Sequence, residues 1–111
     1  MKKLVRDNIP EIIRASGKIP VTRILNEADY LQALKTKVAE EANELIGAPT
    51  KEAMLTELAD LQELITAICL QSGYTMEELE EARQKKKSIN GAFTKRIFLE
   101  SIEETKVNKT I

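Results

Sequence analysis

VAEEANELIGAPTKEAMLTELADLQELI, residues 38–65, decides the fold: two helix-forming runs rich in Leu, Ala and Glu meet at GAPT. There Gly47 and Pro49 stop one helix and Thr50 caps the next. Upstream, Asn26 is placed to cap the first run, which predicts a long amphipathic helix over residues 27–46. Downstream, apolar residues at Met54, Leu58, Leu61, Ile65 and Ile68 carry the second to Gly73. A turn this short between two long helices makes them antiparallel neighbours.

The flanks read more simply. DNIPEIIRASGK predicts a short helix entered at Asp7 or Asn8, with Pro10 in its first turn and Gly17 as its stop. KIPVTRIL is β-branched and proline-containing, so an extended segment is expected. Thr75 and Glu78 have capping-box spacing and open a helix with acids early and lysines late, ended by Gly91. AFTKRIFLESIEE fits neither helical nor strand spacing and is expected as a strand or an irregular arm. The expected fold class is all-α: an antiparallel helical bundle with short extended N- and C-terminal flanks. A single helical domain is expected over residues 1–100, and a frayed tail over 101–111.

Composition bounds the function. The chain has 111 residues, enough for one core burying roughly 65% of its unfolded surface. A net charge of -1 argues against a dedicated nucleic-acid binder. No apolar run is long enough to span a bilayer and no signal core follows Lys2 and Lys3, so no membrane and a cytoplasmic location are expected. Cys69, the single cysteine, reads as a small buried residue rather than a nucleophile. Histidine is absent, which removes Ser-His-Asp and Cys-His catalysis and histidine-bound zinc within one chain. Carboxylates remain, and they suit hard cations such as magnesium or manganese.

Helical geometry separates the acids. At about 100° per residue, Leu31, Leu34, Val38, Ala42 and Leu45 share one arc of the first helix, with Glu41 at its edge and Glu44 further along the same flank. Glu40 points away. Lys35 falls inside the arc, where its stem can snorkel. On the second helix Glu57 lies within the apolar stripe, Asp60 beside it on the acid side, and Glu63 well off it. Folding the two helices together brings Glu41, Glu44, Glu57 and Asp60 near one another, a cluster that repels unless neutralised. A divalent metal neutralises all four together; Lys or Arg neutralises one or two.

EEANE at Glu40 to Glu44 followed by ELAD at Glu57 to Asp60 resembles the EExxE and ExxD signature of the MazG-type all-α nucleoside triphosphate pyrophosphatases. KLVRDNIPEII and GAFTKRIFLE are similar to its single-domain, phosphoribosyl-ATP pyrophosphatase-like or house-cleaning branch, so the resemblance spans residues 2–100. It implies hydrolysis of a nucleotide between the α and β phosphates, giving a monophosphate and pyrophosphate. Glu41, Glu44, Glu57 and Asp60 would be ligands of Mg2+, with Mn2+ as a substitute. Glu44 would position the attacking water, with Glu40 the second catalytic candidate. Phosphate-binding cations are expected first from Lys3 and Arg6 and from Lys95 with Arg96, basic residues embedded in apolar segments; Lys87, of the run Lys85 to Lys87, is a further candidate, although lysines late in a helix more often simply complement its dipole.

A homodimer or homotetramer is expected, because small helical bundles bury more apolar surface by pairing. Two other readings stand beside this one. The first is a non-catalytic helical interaction module whose carboxylates pair across an interface; the second is a phosphoribosyl-ATP pyrophosphatase.

Overall fold

Pro10 in the first turn and Gly17 at φ +87° bracket a seven-residue helix, α1 (Ile9–Ala15), entered at Asn8. Proline suits that turn because its missing N–H would be unsatisfied there anyway. The computed structural model describes residues 2–105. After α1 the chain runs without helix or strand to Asn26, and Ile19, Val21 and Ile24 are at least 90% exposed. The extended segment expected here is therefore an open connection, with no strand among the described residues to pair with.

α2 (Glu27–Ile46) and α3 (Lys51–Gln71) begin at the predicted caps. The Asn26 side chain accepts from the Asp29 N–H at 2.8 Å, and Thr50 Oγ1 accepts from the Ala53 N–H at 3.0 Å. Each cap satisfies one of the N–H groups a helix start leaves without a carbonyl. Gly47 to Thr50 turn the chain back, and α2 and α3 pack against each other as a hairpin about 30 Å long.

The buried apolar side chains among the described residues are Leu34 and Cys69, at 2% and 8% exposure. Cys69 is thus the small core residue expected, and its Sγ lies 3.4 Å from the Thr75 carbonyl oxygen. The single large core expected from chain length is not formed by the described residues. The reason lies on α3, where Glu57, Asp60, Leu61, Leu64 and Ile68 are partly covered, whereas Met54, Leu58 and Ile65 are 44–47% exposed. Lys35 is exposed and needs no snorkelling.

α4 (Met76–Asn90) opens on a complete capping box. The Thr75 N–H donates to Glu78 Oε1, and the Glu78 N–H donates to Thr75 Oγ1, both at 3.0 Å. Gly91, at φ +85°, follows its last residue. The chain divides into two compact units, Met1–Leu79 and Glu80–Ile111, where the sequence reading draws one domain over 1–100. In the second unit, residues 91–105 carry neither helix nor strand, only a turn in which the Arg96 N–H donates to the Phe93 carbonyl at 3.2 Å. The arm is thus irregular rather than a strand. Residues 101–105 of the expected tail are exposed, and the remainder lies outside the described residues. Four helices and no strand among the described residues make the fold all-α.

Candidate metal centre

Glu41 and Glu44, one turn apart on α2, face Glu57 of α3, and each offers a carboxylate oxygen within 4.8 Å of the other two. Helix periodicity sets the first pair on one flank, and the hairpin supplies the third. Glu41 is buried, at 8% exposure, Glu57 is half-buried and Glu44 is exposed. The site therefore has a closed inner end and an open outer one.

Two atoms define its chemistry. Glu41 Oε2 and Glu57 Oε2 are buried and have no hydrogen-bond donor among the described residues. A buried carboxylate oxygen without a donor is costly, so it takes either a proton or a cation. The electrostatics show the first alternative: a side-chain hydrogen bond with Glu41, partial burial, and the charges of Glu44 and Glu41 push the Glu57 carboxyl up to about 7. Glu57 thus holds a proton well above the ordinary carboxylate range. A hard divalent cation meets the same need by replacing that proton, and an all-oxygen donor set of this kind fits Mg2+ or Mn2+.

Asp60, expected as the fourth ligand, is not drawn into the three-glutamate group. Its Oδ1 accepts a 2.6 Å hydrogen bond from Arg6 Nη2, with Asp60 31% and Arg6 57% exposed at the side chain. Residue 6 comes from the segment ahead of α1, so a non-local contact sets the Asp60 partner. Glu40, as its helical position implies, is turned outward with its side chain 53% exposed, 3.8 Å from Lys37 Nζ.

Lys37 is the residue the sequence reading missed. Its ammonium lies 3.9 Å from Glu41 Oε1 as well, and its side chain is only 22% exposed. The signal was present, since 37, 40 and 41 have the i,i+3 and i,i+4 spacing at which helix side chains meet. Lys37, Lys3 and Arg6 line a cleft of about 270 Å³ whose acidic side is Glu41, Asp60 and Glu63. Of the expected phosphate-binding residues, Lys3 and Arg6 therefore stand beside ligand candidates. Lys87, Lys95 and Arg96 belong to the second unit, where all three are exposed. Arg96 also has a left-handed backbone, at φ +57°, unusual for a residue with a Cβ.

The class defined by fold and site is an all-helical protein whose α2–α3 hairpin gathers three glutamate carboxylates. A protein of Mycolicibacterium smegmatis, described as uncharacterized, is 53% identical over 55 residues, covering 50% of this chain and 56% of the relative. The chain thus spans just over half the length of that curated relative. No family model matches the chain. No solved structure matches it.

Proposed function

We propose that the protein is a Mg2+-dependent nucleotide pyrophosphohydrolase of the MazG type, with Mn2+ as a substitute metal. Its substrate is a nucleoside triphosphate or a related nucleotide in the cytoplasm, cut between the α and β phosphates, and its role is the house-cleaning of non-standard nucleotides. The observation that carries the reading is the pair of buried, donorless oxygens on Glu41 and Glu57, within a three-carboxylate group that spans two helices.

Glu41, Glu44 and Glu57 would hold the metal, with Asp60 at the rim. Bound there, the ion supplies positive charge for phosphate oxygens and a more acidic water. The remaining work belongs to the chain. Glu44, the exposed member of the group, accepts a proton from the attacking water. The water oxygen bonds to phosphorus, the bridging P–O bond breaks, and its electron pair leaves with pyrophosphate. Glu40, one residue from Glu41 and turned to solvent, holds Lys37 near the cleft. Lys3 and Arg6 face the negative charge of the polyphosphate.

A second copy of the chain completes the assembly as a homodimer or homotetramer. Support comes from α3, whose Met54, Leu58 and Ile65 stay 44–47% exposed while only two apolar side chains of the described residues are buried. That same face also favours a second reading, a non-catalytic interaction module. Pyrophosphate release from a panel of ordinary triphosphates, damaged triphosphates and phosphoribosyl-ATP, with Mg2+ or Mn2+, separates them. Release by the wild type and its loss in Glu57→Ala supports the enzyme, and preference for phosphoribosyl-ATP assigns it to that branch. No release from any member of the panel overturns it.

A further inference from the structure

Of the four acids read as a ligand set, Asp60 is held by the protein's own guanidinium. Arg6 Nη2 donates to Asp60 Oδ1 at 2.6 Å, while Glu41 Oε2 and Glu57 Oε2 have no donor. A cation entering among the glutamates meets free acceptors. At Asp60 it has to displace Arg6.

That displacement is within reach. Arg6 is 57% and Asp60 31% exposed at the side chain, and ion pairs open to solvent are weak. The Arg6 backbone is nevertheless fixed, because its carbonyl accepts the Ile9 N–H at 3.1 Å at the entrance to α1. The side chain can therefore leave Asp60 without leaving the cleft, which both residues line together with Lys3 and Lys37. A guanidinium freed there presents a planar fork of N–H donors, the geometry that matches phosphate oxygens two at a time.

We propose that Arg6 works by exchange: it neutralises Asp60 while the site lacks metal, and once a divalent cation takes that carboxylate it turns into the cleft to hold a phosphate group. This rests on the metal-dependent reading above and adds a coupling between the two ligands. Metal binding frees the phosphate-binding group, and a bound phosphate keeps Arg6 from returning, so each favours the other. Metal-free protein is correspondingly poor at holding the anion.

The test uses the full-length protein, Mn2+ alone, and then inorganic pyrophosphate added to the Mn2+-loaded form, both followed by calorimetric titration. In Arg6→Gln the competitor for Asp60 is gone, so Mn2+ alone should bind about two- to fivefold more tightly. Pyrophosphate on the loaded protein should bind roughly tenfold more weakly, because a charge-assisted contact is lost. Arg6→Lys keeps the positive charge and should return Mn2+ affinity toward wild type without restoring pyrophosphate affinity. Unchanged or weaker Mn2+ binding in Arg6→Gln overturns the exchange, even where wild type binds Mn2+ and Glu57→Gln does not. Absence of Mn2+ binding by the wild type overturns both the exchange and the metal-dependent function.

Discussion

Glu41→Gln measures what the carboxylate group costs the protein before any metal is present. Glu41 is 8% exposed, its Oε2 has no donor among the described residues, and Lys37 sits at a loose 3.9 Å from its Oε1. Glutamine keeps the shape, removes the Glu41 charge that raises Glu57, and places an NH2 donor beside Glu57. An unsatisfied buried polar group costs about 1–3 kcal/mol, and losing the Lys37 contact returns up to about 1 kcal/mol. The net expectation is a stabilisation of roughly 1 kcal/mol, which raises Tm by about 4–8 °C for a domain of this size. Thermal unfolding followed by circular dichroism, in EDTA and at one fixed protein concentration, reads it. Saturating Mg2+ should invert the order: wild type gains about 2.7 kcal/mol at a hundred times its Kd, and the variant gains little. If Glu41→Gln melts below wild type in EDTA, Lys37 already satisfies Glu41, and the reasoning from an uncompensated site fails.

Glu57 gives the metal-free protein a characteristic pH dependence. Its folded pKa, about 7, stands above the ordinary 4.5, so the folded state keeps a proton that the unfolded chain releases. This contribution is full below about pH 4.5, declines as pH rises through about 7, and is level above that; a wild-type denaturant series with no slope that Glu57→Gln removes would contradict it. Leu34→Ala empties the most buried apolar position, at 2% exposure, and should cost about 2–5 kcal/mol in urea titrations. Thr75→Ala breaks one arm of the reciprocal cap and should cost about 1 kcal/mol, read as lost helicity and a lower urea midpoint. Leu58→Asp places a charge on the open face of α3 and should reduce the mass found by light scattering to that of one chain; an unchanged mass shows that the face is not the subunit contact.

Boundary chemistry is local, which is why the helices were legible. Asn26, Thr50 and the Thr75–Glu78 pair act within one turn of where they stand, and Gly17 and Gly91 take left-handed turns that their neighbours would resist. The grouping of Glu41, Glu44 and Glu57 was legible for a related reason: a four-residue turn between two regular helices leaves little freedom in their register. The fate of Asp60 was not, because its partner lies 54 residues away in a segment whose path no periodicity describes. The orientation of α3 was only half legible. Apolar residues surround so much of that helix that their spacing does not choose which part meets α2, and the described chain leaves Met54, Leu58 and Ile65 open.

The four-residue turn also bears on how fast the molecule assembles. Glu41 and Glu57 are separated by 16 positions (57 − 41), so their approach closes a small loop and belongs among the early contacts of a low-contact-order chain. Like charges are therefore driven together while the hairpin is still forming, and their repulsion falls on the folding barrier as well as on the native state. Anything that neutralises the group, a proton on Glu57 or a cation among the three carboxylates, should lower that barrier, so its signature belongs in the refolding rate more than in the unfolding rate.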